Sequence, residues 1–304
     1  MKLLVKILRK FKFFLGFYIL LPMKLFIARI IFFLAYPAKK QLSYSDLTSI
    51  LKKRSKLTKP PRYGYSNYDM YCRGFERAKY ILNKSDNRCH KFLELACGDG
   101  NVLLHLSNLD KETTGLDILD WRSKLVKESN ARFVKRDVSR GLPFRDSAFD
   151  FAFSYAAFEH FPDPEFVLLE MLRVTRPKGL IYLNFGPLWL SPDGLHNIGR
   201  LNIPYIYFLF SEDIIRKAVY DFGLETEWNT DYAGIIHASN KYSYMQFRTI
   251  WERQADKCNI LLYKERRDLS ELSFIFEYAS LLKAKTKDFN DLIISEMEIL
   301  LEKK

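Results

Sequence analysis

The run FLELACGDGN at residues 92–101 gathers residue types well suited to chemistry. Glu94 is an acid inside an apolar stretch, Gly98 and Gly100 follow in a short loop, and Asp117 comes 19 residues after Gly98. A strand that ends in such a loop and passes into a helix opens a crevice at the carboxyl edge of a sheet, where small residues let a ligand approach the backbone. An acid at the end of the next strand is placed to accept hydrogen bonds from a ribose diol. These features also suit a dinucleotide, but two differences argue against one. The third glycine of a G-x-G-x-x-G pattern is Leu103, too bulky for that close helix packing. Glu94, inside a strand, needs a cation or hydrogen-bond donors. An amino-acid ammonium would meet that need. Cys97 reads as a small filler, since no histidine lies beside it in sequence to activate a thiol.

Positioning these residues requires an alternating βα pattern. Apolar runs predict strands at Phe92–Ala96, Thr113–Asp117, Arg132–Lys135, Phe149–Ser154 and Leu180–Phe185, with helices in the gaps. The expected class is α/β, a mostly parallel sheet with helices on both faces. A helix over Tyr68–Leu82 precedes the first strand, and another over Ser211–Phe222 opens on Ser211 with Glu212 and Asp213 in its first turn and ends at Gly223. Later strands are expected at Leu224–Trp228 and Ala233–His237, then helix over Tyr242–Glu252 and from Glu265 to the end. The organisation expected is therefore a basic, apolar segment at 1–40, a basic linker at 41–64, a core domain at 65–240 and a helical C-terminal extension at 241–304.

Over roughly residues 70–185 the sequence resembles the class I S-adenosylmethionine-dependent methyltransferases, in particular the methyltransferase type 11 group related to quinone-biosynthesis methyltransferases. FLELACGDG is similar to the first motif of that family and TTGLD to the second. RDVSRGLPFRDSAFDFAFSYAAFEHFPDPEFVLLEMLRVTRPKGLIYLNF is similar to the rest of the core in order and spacing. The resemblance implies a Rossmann-like class I methyltransferase fold, with S-adenosylmethionine as cofactor and S-adenosylhomocysteine as its product. It implies that Glu94, Gly98 and Gly100 surround the methionine moiety, that Asp117 binds the ribose, and that Asp137 with the Val138 amide reads adenine. Ala96 and Ser154 complete the cofactor-binding set. The sequence departs from the family pattern at Ala96, where glycine is common, and at Lys178, where a Pro-Gly-Gly turn is common. From the residues alone, Asp137 can equally cap a turn, and Asp120 can replace Asp117 at the ribose.

Methyl transfer is an in-line displacement, so alignment alone lowers much of the barrier, and a base is needed only when the acceptor must lose a proton. His160, after the fourth strand, and His196, after the fifth, are the catalytic candidates; each also has a structural reading, and His237 reads as a strand-end residue. Residues 186–210 carry Trp189, three prolines, two tyrosines and two phenylalanines, which suggests an acceptor-pocket wall or membrane-facing cover, with core packing as the alternative.

The net charge of +12 is unevenly spread. Residues 1–62 hold 15 Lys+Arg and one acid, Asp46, for a net of +14, leaving 33 basic and 35 acidic residues in 63–304. A near-neutral core argues against a nucleic-acid partner, as does the absence of an Asn/Asp-Pro-Pro-Tyr type motif. In residues 1–15, Lys2, Lys6, Arg9, Lys10 and Lys12 share one helical arc, and Leu3, Leu4, Ile7, Leu8, Phe11, Phe14 and Leu15 the other. That pattern suits attachment to an anionic membrane surface. Phe13–Pro37 is long enough to span, but Lys24 and Arg29 offset the apolar residues and Pro22 is expected to interrupt the helix, so peripheral attachment is favoured over crossing. Cys72, Cys89, Cys97 and Cys258 show no C-x-x-C pair, so neither a disulfide framework nor a metal site is suggested and a cytoplasmic setting is expected. The expected function is methylation of a small-molecule, lipid or glycan-precursor acceptor near a membrane. The alternative is a non-catalytic cofactor-binding or scaffold protein.

Overall fold

The computed structural model describes residues 19–54, 56, 64, 66–85, 89–194, 201–224 and 239–304. The five expected strands are present as β1 (Lys91–Leu95), β2 (Glu112–Asp117), β3 (Arg132–Lys135), β4 (Phe149–Tyr155) and β5 (Thr175–Phe185). They pair in parallel, with β5 starting early because Thr175 pairs with Phe149 ahead of a register shift. Phe92, Leu93, Phe151, Ala152 and Phe153 are fully buried, as a parallel sheet covered on both faces requires. The helices are α1 (Leu21–Leu34), α2 (Tyr44–Lys53), α3 (Asn67–Lys84), α4 (Asn101–Ser107), α5 (Lys124–Lys127), α6 (Pro164–Val174), α7 (Ile206–Leu209), α8 (Glu212–Asp221), α9 (Tyr244–Arg253), α10 (Leu272–Lys283) and α11 (Phe289–Ile293).

The C-terminal region corrects the sequence expectation. Instead of a helical extension from Glu265, the chain forms β6 (Cys258–Arg267) and β7 (Ile294–Lys303) around α10 and α11. Both strands join the sheet, whose order is β3-β2-β1-β4-β5-β7-β6, with β7 antiparallel to β5 and to β6. Residues 241–304 therefore belong to the core domain. The run ISEMEILLEK is rich in good helix formers. Burial overrides that preference, since Met297, Ile299 and Leu301 are fully buried. The outer strand β6 carries Lys264, Arg266 and Arg267, charges that blunt an exposed edge.

The N-terminal region is corrected too. The basic linker expected at 41–64 contains α2, capped by a reciprocal Ser43–Asp46 box and burying Leu47, Ile50 and Leu51. Arg54 pairs with Glu271 at 2.8 Å. Pro22 stands in the first turn of α1, where π-helical Ile19 and Leu20 lead into the regular helix. Ala28 and Phe32 of α1 are buried, and the Phe32 ring meets Phe289 edge-on at 5.7 Å. No described helix is long and apolar enough to cross a membrane. The amphipathic pattern of residues 1–15, the Pro60–Pro61 pair and nearly all of both later strands lie outside the described residues.

The order reverses between β1 and β4, with β2 and β3 on one side and β4 and β5 on the other. In open α/β sheets ligands bind in the crevice at the carboxyl ends of the strands at such a switch point.

Candidate functional site

β1 delivers the chain to the switch point, and Ala96-Cys97-Gly98-Asp99-Gly100 turns it into α4. Ala96 (φ 53°), Gly98 (φ 51°) and Gly100 (φ 72°) are all left-handed. A side chain on Gly100 would lie 2.8 Å from Val126, whereas one on Gly98 would meet nothing within 4 Å, so the loop presents an open face there. Asp99 caps the turn by accepting from the Asn101 N–H at 2.9 Å. The missing third glycine is balanced across the interface. Leu103 lies against β2 at Gly115, where a Cβ would come within 2.4 Å of it.

Both departures from the family pattern fall on left-handed backbone, since Lys178 has φ 61°. A non-glycine residue there costs roughly 1–2 kcal/mol, partly offset by the extra unfolded-state freedom of glycine. Ala96→Gly and Lys178→Gly are each expected to stabilise the fold by about 0.5–1 kcal/mol, read as a higher urea midpoint. No change, or a decrease, would show that these backbones are unstrained.

Asp117 ends β2 and is nearly buried, at 9% exposure. Its carboxylate accepts from the Gly98 N–H at 2.9 Å and the Leu119 N–H at 3.2 Å, which fixes the loop and leaves acceptor capacity for a diol. Asp120, the rival, is engaged by Arg122 at 2.9 Å and Lys127 at 3.7 Å; the Arg122 hydrogen bond holds its carboxyl down to about 2. Asp137 accepts from the Ser139 N–H at 2.9 Å and its hydroxyl at 2.7 Å, opening the short 3-10 turn Val138–Arg140. These bonds keep its carboxyl below the usual range. The turn sits beside Asp117, because the Arg136 N–H donates to the Asp117 carbonyl at 2.8 Å. Ser154 is buried at the switch point, its hydroxyl donating to the Leu95 carbonyl at 3.0 Å.

Glu94 is 3% exposed, and its Oε2 has no hydrogen-bond partner among the described residues. Burial, opposed by Arg77 and reinforced by Asp99 and Asp117, raises its carboxyl well above the ordinary range. A buried acid without donors is costly unless something else occupies the space before it. A buried acid with one free oxygen on the strand that leads into the Gly98 loop, with Asp117 at the end of the next strand, fits an amino acid joined to a nucleoside. Cys97 is buried and its thiol is pushed well up by burial, consistent with a filler and opposed to a nucleophile.

Sequence reasoning missed the cover over this loop. α3 crosses it, with Gly74 so close to Asn101 that a Cβ would come within 2.4 Å, Arg73 3.6 Å from Asp99 and Arg77 over the Tyr155 ring at 4.6 Å. No motif joins α3 to the loop. The only signal is a small residue, Gly74, on a helix face between two arginines.

On the other side, Glu159 follows β4. It is 1% exposed, accepts from the Gly186 N–H at 3.1 Å and is raised to about 8, chiefly by burial. The His160 Nε2 is 4.0 Å from its Oε1, and the His160 ring is partly exposed. His196 and His237 lie outside the described residues. The aromatic segment 186–210 packs largely inward, where described: Tyr205, Phe208 and Phe210 are buried, and the Tyr205 hydroxyl donates to the Leu292 carbonyl at 2.7 Å. Core packing thus accounts for these residues.

Residues 93–183 match the family described as Methyltransferase domain. An uncharacterized methyltransferase of Mycobacterium sp. (strain JLS) is 40% identical over 109 residues, 35% of this chain and 42% of that protein. The 27-O-demethylrifamycin SV methyltransferase of Amycolatopsis mediterranei (strain S699) is 30% identical over 116 residues, 34% of this chain and 42% of that protein. The chain thus matches less than half the length of these relatives. A solved S-adenosylmethionine dependent methyltransferase from Mesorhizobium loti is 12% identical with a TM-score of 0.46, covering 74% of this chain and 96% of that one.

Proposed function

We propose that this chain, whose residues 93–183 match a methyltransferase domain, is a class I methyltransferase that transfers a methyl group from S-adenosylmethionine to a small or lipid-linked acceptor reached from a membrane surface. The observation that carries this reading is Glu94, a buried acid near the end of β1 whose Oε2 has no hydrogen-bond partner among the described residues, on the strand that leads into the Gly98–Gly100 loop. When bound, the cofactor supplies a methyl group on a sulfonium. The chain's own part is placement. Glu94 meets the ammonium, Asp117 holds both the loop and the ribose, Asp137 and Val138 border the adenine, and the ends of β4 and β5 enclose the acceptor. Alignment of this kind provides most of the acceleration, and a base at His160 or His196 serves only an acceptor that must lose a proton. The scaffold alternative is separated by cofactor consumption. Labelled S-adenosylmethionine incubated with membrane extract and the protein should yield a labelled product, and a cofactor that is bound but never consumed would favour the scaffold.

Calorimetry should show binding of S-adenosylmethionine or S-adenosylhomocysteine and none of NAD. Asp117→Ala should weaken that binding by about 1.5–3 kcal/mol, the worth of hydrogen bonds to a charged group. Tight NAD binding, or unchanged affinity in the variant, would overturn the corresponding assignment.

A further inference from the structure

Helix α1 is apolar on two faces, and the described residues cover only one. Leu21, Leu25, Ala28 and Phe32 recur at helical spacing and pack on the core. Met23, Phe26, Ile27, Ile30, Phe33 and Leu34 form a second stripe that faces outward, with Phe26 64%, Phe33 78% and Leu34 69% exposed. A helix apolar all round needs an apolar partner on each side, and an outward stripe of this length marks an interaction surface. Between α1 and the α10–α11 corner lies a groove of about 390 Å³ floored by Phe32, Phe33 and Phe289. Its rim is basic, with Arg29, Lys283 and Lys287, and the Lys283 ammonium sits over the Phe32 ring at 4.5 Å.

We infer that this face of α1, with the basic rim of its groove, docks on an anionic lipid surface. The inference rests on the membrane-side reading above and names the surface that would serve it. Charge selects the occupant. A second copy joined by a two-fold axis would bring the same patch against itself and set Lys24, Arg29, Lys283 and Lys287 against like charges, whereas lipid phosphates neutralise them. The sequence ahead of the helix points the same way, since residues 1–18 hold five Lys/Arg and no Asp/Glu. Lys24 and Arg29 stand on either flank of the outward stripe, charges that a helix in the interface plane can hold at the headgroups while the stripe enters the acyl boundary.

The test is co-sedimentation of the full-length chain with vesicles of phosphatidylcholine alone or mixed with phosphatidylglycerol, without cofactor. Strong binding to the anionic vesicles, at least tenfold weaker binding to neutral ones and only partial release by high salt are expected. Ile30→Asp with Phe33→Asp, both at exposed positions, should reduce anionic-vesicle binding at least tenfold while the thermal melt shows a folded protein. Lys283→Glu with Lys287→Glu should remove mainly the salt-sensitive part. Wild-type binding by the double aspartate variant would overturn the surface while leaving membrane attachment to residues 1–18. A full-length protein that ignores anionic vesicles, or a dimer that the aspartates split, would overturn lipid docking altogether. Calorimetry of the wild type with S-adenosylmethionine is separate, so the methyltransferase reading stands or falls independently.

Discussion

Glu94→Gln is expected to weaken S-adenosylmethionine binding by about 3–5 kcal/mol at a pH where Glu94 is ionised, the cost of leaving one partner of a buried ion pair alone. That is a hundredfold loss or more, larger than for Asp117→Ala, because glutamine keeps the volume and an acceptor but not the charge facing the ammonium. The wild-type protein should also show a pH dependence that the variant lacks. Without cofactor, burial raises the Glu94 carboxyl well above its ordinary value and so favours its protonated form. Pairing with a cation requires that proton to leave. Affinity should therefore rise with pH and level off above the raised value, and binding below it should release up to one proton. The sign for the fold is opposite: the neutral acid's contribution is fully present below the unfolded value and is lost as pH rises through the folded one. Calorimetry in two buffers of different ionisation heat, at several pH values, reads both the affinity and the proton count. A flat profile in the wild type, or an affinity in Glu94→Gln within threefold of it, would remove Glu94 from the site.

The strand-loop-helix of the candidate site was legible because one contiguous run carries Glu94, Gly98 and Gly100, and its neighbour ends in Asp117. Those positions follow from βα alternation and from the backbone freedom the turn needs. The two departures noted in sequence acquired their physical meaning only with dihedral angles, since nothing in Ala96 or Lys178 announces left-handed backbone. What escaped was set by tertiary context. The run 294–303 reads as helix by composition, yet it is placed between β5 and β6, where its apolar side chains are buried. In α3, Arg73 reaches Asp99 and Arg77 lies over the Tyr155 ring through a crossing that a close approach at Gly74 permits, contacts without spacing in sequence. The N-terminal charge excess misled in part. It is visible along the chain, but the burial of Leu47, Ile50 and Leu51 in α2 makes a packed helix of what the charges alone present as a linker.

Glu159→Gln should stabilise the protein increasingly as pH rises, by an amount on the order of 4 kcal/mol at pH 8.5 and close to zero at pH 4.5. Glu159 is fully enclosed between the ends of β4 and β5, and burial raises its carboxyl to about 8, against the pull of its own and the Gly186 N–H. A raised value means that the fold prefers the neutral acid. Its stabilising contribution is complete below the unfolded value near 4.5 and is lost as pH climbs through about 8. Glutamine retains the oxygen that accepts from the Gly186 N–H and cannot ionise, so it should keep the contact and remove the loss. His160 does not rescue the ionised form, because its ring is partly exposed and 4.0 Å away. Other buried acids contribute to the overall pH profile, but Glu94 and Asp291 are present in both proteins, so the difference between the two urea curves isolates Glu159. Parallel wild-type and variant stabilities from pH 5 to 8.5 would show that the carboxylate finds enough donors or water to ionise without cost. Divergence with the stated sign would identify the junction of β4 and β5 as held together by a neutral acid.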